Sequence, residues 1–285
     1  MAKVGIIGWG IVGQATGKGL SGPNEVIWYD KYREGGNTLE EVLDKSEFVF
    51  ICVPTPMHSD YSGIDLSVVD SVVDEVALRL RSGPAAQDKV VIIKSTVIPG
   101  ATAGYAKKYP NVKFAMVPEF LTEKNPEHDF LHPARTIIGA YDKNVAERVK
   151  SLHQSVLPPD APYFLTDPTS AELAKYMSNT MLAAKVLLAN EYYALAQKLG
   201  VPYDPVREMV EADKRMGTHF RVPGPDGDLG FGGKCFPKDI VALLGLGKDL
   251  GVDLSALRAI WEKNLKIRKN RDWEEIPGAV NNKKN

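Results

Sequence analysis

Short apolar runs alternate with amphipathic stretches through the first half of the chain. The runs over 3–8, 25–30, 47–53, 89–95, 113–117 and 135–139 read as six buried strands. Helical patterns, including those over 66–81 and 145–153, lie between them. Strand followed by helix, repeated, is most economically satisfied by a right-handed, doubly wound parallel sheet with helices on both faces, a Rossmann-type α/β fold. Beyond about residue 165 the strand signals stop and helical periodicity takes over. The longest pattern, 169–199, opens on Thr169 with Glu172 three residues later, the spacing at which each side chain can satisfy a backbone donor of the other. It ends before Gly200, with Pro202 just beyond. Shorter helices are expected over 205–212, 238–250 and 255–269. The expected organisation is a sheet domain over 1–165, a smaller all-helical domain over 166–280 and a disordered tail over 281–285.

Composition narrows the partners. The 285 residues suffice for two cores, and 35 basic residues against 36 acidic ones leave no dominant field, which argues against nucleic acid. No apolar run approaches the length of a membrane span, and the Met-Ala-Lys start leads directly into a strand, so neither a signal peptide nor a membrane segment is expected. Only Cys52 and Cys235 are present, which excludes a disulfide framework and points to a reducing, cytoplasmic setting. The five histidines show no metal-ligand spacing, and no metal is expected.

Two segments carry chemistry. In Gly8-Trp9-Gly10-Ile11-Val12-Gly13, the pattern Gly-x-Gly-x-x-Gly falls between the first strand and a helix. Gly8 permits the tight turn, Gly10 lets a pyrophosphate approach the backbone, and Gly13 lets helix and strand pack closely, with Val12 beside them. The second strand ends in Asp30, at the distance expected of an acid that accepts from a ribose hydroxyl, which favours NAD over NADP.

The other segment is Gly230-Phe231-Gly232-Gly233-Lys234-Cys235-Phe236-Pro237-Lys238-Asp239. Its glycines, Gly232 among them, allow a ligand close to the backbone, and Pro237 suits the opening of a helix. Cys235 then stands at a helix N-terminus, where the dipole and Lys234 or Lys238 favour its thiolate, with Asp239 one turn on. Cys52, inside an apolar strand, reads as core. The basic run over 263–271 reads as a solvated helix end.

The cysteine segment closely resembles the nucleophile signature of the UDP-glucose/GDP-mannose dehydrogenases. Further matches follow in order along nearly the whole chain: Val53-Pro54-Thr55-Pro56, Lys94-Ser95-Thr96, Pro118-Glu119-Phe120-Leu121-x-Glu123, Glu172-Leu173-Ala174-Lys175-Tyr176-x-x-Asn179 and Asp213-x-Arg215-x-Gly217. The resemblance implies that Thr55, Thr96, Glu123 and Lys238 lie by an NAD cofactor and that Thr96 is also near a catalytic water. It implies Glu123 as general base for water attack, with Glu119, Phe120 and Leu121 along the sugar. Lys175 and Asn179 are implied as oxyanion donors, Asp239 as a proton-transfer partner of Lys175, and Arg215 as reaching a neighbouring subunit's substrate. A homodimer through the helix over 169–199 follows from the same likeness. Family members continue into a third domain, and this chain is expected to be a short form without it, the loop over 220–230 covering part of the nucleotide instead.

Chemistry supports the same casting. Oxidising a primary alcohol to an acid removes two hydrides, so the aldehyde must be captured between them. A thiolate does this as a thiohemiacetal, then as a thioester that water cleaves. Lys175 and Asn179, four apart on one helix, can converge on one oxygen. Two other readings remain open from the residues: a single-hydride hydroxyacid dehydrogenase of related helical type, and a binding module that keeps NAD without turnover.

Overall fold

The computed structural model describes residues 1–80, 88–122 and 124–281. The chain begins β1 (Lys3–Ile7), α1 (Ile11–Leu20), β2 (Glu25–Tyr29), α2 (Leu39–Lys45), β3 (Phe48–Ile51), β4 (Met57–His58) and α3 (Ser67–Leu80). It goes on with β5 (Val90–Ile93), α4 (Ala101–Lys108), β6 (Lys113–Met116), α5 (Pro126–Leu131), β7 (Thr136–Gly139), α6 (Lys143–Gln154) and β8 (Tyr163–Thr166). Then come α7 (Pro168–Leu199), α8 (Tyr203–Glu211), α9 (Cys235–Leu250), α10 (Ser255–Ile267), a 3-10 turn over Asp272–Glu274 and β9 (Val280–Asn281). Two compact units result, one of Met1–Thr55 with Leu66–Lys175 and one of Pro56–Asp65 with Tyr176–Asn285.

The first unit is a seven-stranded sheet in the order β2-β1-β3-β5-β6-β7-β8. Alternation along the strands divides their side chains between two cores. Ile7, Val49, Ile51, Val91, Ile93 and Met116 meet α2, α3 and α4 on one face. Val4, Ile6, Phe48, Phe50, Val90 and Ile92 meet α1 and α6 on the other. Burial on both faces is why these strands are apolar runs rather than polar-apolar alternations. The six expected strands are all present. The expected doubly wound, Rossmann-type parallel sheet is present, with one local departure: β7 is antiparallel to β6, and β8, an unforeseen edge strand, is parallel to β7. A parallel restart needs a crossover that returns the chain to the sheet's other end. The segment between β6 and β7 instead carries α5, whose Phe130 ring covers Gly19 of α1 so closely that no Cβ fits there.

The opening of α7 also differs from expectation. Asp167 accepts from the Ser170 amide at 3.0 Å and Pro168 takes the first helical position, so the helix is capped two residues before Thr169. Glu172 caps a different helix: its carboxylate accepts from the amides of Gly100 and Thr102 at 2.6 and 2.9 Å, at the N-terminus of α4. With Pro168 and Ala171 packed over Gly139 as well, the first turns of α7 belong to the sheet unit, and the division falls after Lys175 rather than at 165.

The second unit is helical apart from the short parallel pair β4 and β9, in which Met57 is opposite Val280 and His58 opposite Asn281. Met57, Ala183, Leu187, Phe231, Ile240, Val241, Trp261 and Trp273 form its core. The expected tail over 281–285 is corrected at its first residue, because Asn281 is held in that ladder and by Asp65 at 2.5 Å. Residues 282–285 lie outside the described residues.

Candidate active site

In the first unit, β1 and β3 are neighbours while β2 lies on β1's other side, so the chain changes direction across the sheet at this point, where open α/β sheets bind ligands beyond their strands' carboxyl ends. The glycine turn sits there. Gly8 has φ +93°, and a Cβ on it would meet the Cys52 carbonyl oxygen at 2.7 Å. A Cβ on Gly13 would fall on the Gly8 carbonyl oxygen, whereas one on Gly10 meets nothing within 4 Å. The first and third glycines are thus demanded by the fold, and the second leaves open space at the start of α1, with Val12 half-buried beside it. The Asp30 carboxylate accepts from the amides of Trp9 at 2.7 Å and Tyr32 at 2.8 Å, which fixes its orientation at the end of β2. Each oxygen keeps a lone pair for a ribose hydroxyl. The Thr55 hydroxyl donates to the Thr96 carbonyl at 2.9 Å, joining the segments after β3 and β5. These features fit a dinucleotide.

Beyond β6, the buried carboxylate of Glu119 lies 2.9 Å from Nζ of Lys175, whose side chain is 4% exposed, and also accepts from the Leu121 amide at 2.8 Å. Phe120 stacks under the Arg135 guanidinium at 4.1 Å and the Lys175 ammonium at 5.5 Å. Glu123 lies outside the described residues. Lys94, to which the motif reading gave no role, is buried, its ammonium 5.7 Å from the Phe130 ring, and burial pulls its pKa down to about 8. Cys52 is core as expected, its thiol pushed up to about 12 by burial.

In the second unit Cys235 is half-buried and is the first residue of α9, after Lys234 as N-cap. One turn on, the buried carboxylate of Asp239 receives the Asn179 amide at 2.6 Å on one oxygen and the Lys238 ammonium at 2.8 Å on the other. Lys238, which the resemblance directs to the cofactor, therefore points its ammonium at Asp239. Arg215 is exposed and forks onto its neighbour Asp213.

The glycine loop corrects a second expectation. A Cβ on Gly230 would strike Asn264, and one on Gly232 would strike Arg268 and Asp272. Protein side chains, not a ligand, occupy the space these two glycines vacate. Gly233, at φ +72°, has nothing within 4 Å of its missing Cβ. Arg268 is 4% exposed and Asn264 fully buried, so the run over 263–271 is not simply a solvated helix end. The 220–230 loop is pinned within its own unit, Asp226 to Arg268 at 2.5 Å and Asp228 to the amides of Lys269 and Asn270.

Among the described residues no group of three or more His, Cys, Asp or Glu could hold a metal, and no helix is long and apolar enough to cross a membrane.

Comparison with known proteins agrees with this geometry. Residues 31–157 match the model for the UDP-glucose/GDP-mannose dehydrogenase family, NAD binding domain, and residues 169–266 match that for the same family's central domain. The chain is 38% identical over 228 residues to UDP-glucose 6-dehydrogenase of Rickettsia bellii, covering 79% of this chain and 50% of that one. It is 35% identical over 237 residues to UDP-glucose 6-dehydrogenase of Pseudomonas aeruginosa, with 80% and 50% covered. It thus spans about half the length of these curated relatives. Among solved structures, a UDP-glucose dehydrogenase from the archaeon Pyrobaculum islandicum superposes with a TM-score of 0.81 at 32% identity, covering 93% of this chain and 68% of that one. A 3-hydroxyisobutyrate dehydrogenase of Mycobacterium tuberculosis, 16% identical with a TM-score of 0.72, shares the fold. The chain belongs to the UDP-glucose/GDP-mannose dehydrogenase family, with that family's NAD-binding domain followed by its central domain.

Proposed function

We propose that the protein oxidises the primary alcohol of a nucleotide sugar, UDP-glucose to UDP-glucuronate, in two NAD-dependent steps through covalent intermediates on Cys235. The observation that carries this reading is Cys235 at the first position of a 16-residue helix, one turn before a carboxylate tied to Asn179 and Lys238. NAD supplies the hydride acceptor for both oxidations. It is held by Gly8, Gly10, Val12 and Gly13 at its pyrophosphate, by Asp30 at its ribose and by Thr55 and Thr96 beyond.

The first oxidation releases a hydride from the sugar carbon and a proton from its hydroxyl, leaving an aldehyde. The Cys235 thiolate adds to that carbon to form a thiohemiacetal, favoured at the N-terminus of α9 by the helix dipole. The second oxidation removes a hydride from the thiohemiacetal carbon and a proton from its hydroxyl, and leaves a thioester. Water then adds and the C–S bond breaks, returning the thiolate and releasing the carboxylate. Each tetrahedral oxyanion is stabilised by the Lys175 ammonium and the Asn179 amide. Asp239 orients Asn179 and exchanges the proton, Glu119 holds Lys175 and borders the sugar with Phe120 and Leu121, Glu123 activates the water, and Thr96 lies near that water. Arg215 reaches the substrate of a second subunit.

A homodimer accounts for the apolar stripe along α7. Met177, Met181, Leu188, Tyr192, Leu195 and Leu199 are 53–67% exposed and recur at three-, four- and seven-residue spacing on one face. Sedimentation of the wild-type chain as a dimer and of Met181→Asp as a monomer is expected; a wild-type monomer rejects it. A cytoplasmic setting agrees with two cysteines that form no disulfide.

The deciding experiment counts NADH per UDP-glucose in wild type and Cys235→Ser. Two NADH per sugar in the wild type, and loss of acid formation in the variant, are the expected results. One NADH per hydroxyacid with an active Cys235→Ser makes the chain a single-step dehydrogenase. Retained NAD binding with no turnover on a panel of UDP- and GDP-sugars makes it a binding module. Glu123→Gln is expected to accumulate the thioester, and accumulation in Glu119→Gln instead transfers the role of base to Glu119.

A further inference from the structure

The loop that precedes Cys235 is gripped by three polar side chains spaced four apart. Asn264, fully buried on α10, accepts from the Phe231 amide at 2.8 Å and donates to the Phe231 carbonyl at 3.0 Å, so one side-chain amide takes both polar groups of a single loop residue. Arg268, the C-cap of α10, donates to the Leu229 carbonyl at 3.4 Å and joins the carboxylates of Asp226 and Asp272 at 2.5 and 3.4 Å. Both oxygens of Asp272 lie 3.1 Å from the Gly233 amide, two residues before the cysteine. From the other side, Asn190 on α7 accepts from the Gly230 amide at 3.1 Å.

Glycines and grip are matched parts. Side chains at 230 or 232 would displace Asn264, Arg268 or Asp272, so the loop sequence is selected for contact with this row. The row is also expensive. The Arg268 side chain is 1% exposed, and its buried Nε has no hydrogen-bond partner. A buried ionic network can often be replaced by apolar packing with no loss of stability, so stability alone does not explain a guanidinium here. What apolar packing cannot do is fix the direction of the Phe231 and Gly233 amides and of the Leu229 and Phe231 carbonyls.

We propose that Asn264, Arg268 and Asp272 are positioning residues for the chemistry of Cys235, locking the glycine loop in the conformation that presents the thiol at the start of α9. The proposal rests on the reading of Cys235 as nucleophile. None of the three touches the reacting atoms; they act through the Phe231 and Gly233 backbone.

The test uses the full chain with Asn264→Ala, Asp272→Ala and Asp272→Asn, and with Trp273→Phe as a core control. Steady-state kcat and KM, the rate of Cys235 alkylation by iodoacetamide at fixed pH, and Tm are read for each. Expected is a fall of about tenfold or more in kcat for both alanine variants, the cost of displacing a reacting group, with KM for NAD within about twofold of the parent. The alkylation rate changes alongside. Asp272→Asn, which keeps an acceptor for Gly233, recovers most of kcat, and Trp273→Phe lowers Tm while leaving kcat and alkylation at the parental values. Alanine variants with lowered Tm but parental kcat and alkylation rates overturn the proposal. If Asn264→Ala does not fold, the Asp272 pair decides alone, since that side chain is 30% exposed. Acid formation by Cys235→Ser separates the two levels: an active serine variant removes the nucleophile reading, whereas an inactive one with parental behaviour at 264 and 272 removes only the positioning role.

Discussion

The ammonium of Lys175 and the carboxylate of Glu119 form a buried ion pair at 2.9 Å, with side-chain exposures of 4% and 8%. Neither charge has bulk water to fall back on. Lys175→Met is therefore expected to destabilise the protein by about 3–5 kcal/mol, because it leaves a carboxylate buried without its cation. Adding Glu119→Gln should restore part of that loss. Urea unfolding of the two single variants and the double variant measures the coupling, and additive losses would show that the pair does not interact.

The two cysteines should separate cleanly under alkylation. Burial pushes the Cys52 thiol up to about 12, so near neutral pH it holds almost no thiolate, while Cys235 is half-buried at a helix start. One equivalent of iodoacetamide should label Cys235 alone, as read by peptide mass spectrometry, and NAD-dependent turnover should fall in step. Cys52→Ala should cost about 1–2 kcal/mol of stability with turnover retained.

Asp30 accepts two backbone amides, so its substitution disturbs both charge and turn. Asp30→Asn keeps an acceptor and removes the charge that repels a 2′-phosphate, with Lys31 and Arg33 following directly. The ratio of kcat/KM for NAD over NADP should drop by about tenfold or more, the value of one charge-assisted contact. An unchanged ratio would mean that Asp30 serves only the turn.

His153 gives a pH signature. Burial, with a smaller effect of Lys94, pulls its pKa from 6.5 to about 4. Between these values the unfolded chain binds a proton that the folded protein does not, so stability rises with pH from about 4 to 6.5 and is lost as pH falls through that window. Denaturant midpoints measured across pH 4–7 should show this slope, and His153→Phe should flatten it. An equal slope in the variant would assign the acid sensitivity to other groups.

Local patterns carried much of this protein. Period-two burial was unnecessary for the central strands because both faces are covered, and runs such as Phe48–Ile51 were plain in the chain itself. The glycines of the dinucleotide turn and the place of Cys235 at a helix N-terminus were equally plain, since each depends on residues within one turn, although α9 starts at Cys235 itself rather than at the expected 238. Glu172 shows where local logic stops. Its spacing from Thr169 suits a reciprocal cap, yet its carboxylate caps α4, some 70 residues away in sequence.

The amino-acid sequence alone determined the strand-helix alternation, the glycine turn and the cysteine at a helix start, because those follow from steric limits and periodicity within short segments. Tertiary structure alone decided that β7 and β8 run against the rest of the sheet, that Lys238 answers to Asp239, and that Asn264, Arg268 and Asp272 fill the space above the glycine loop. The loop contacts join residues 33 and 39 apart, and the Asn179–Asp239 bond joins residues 60 apart. Such partners are selected by the packing of whole elements, which no local spacing encodes.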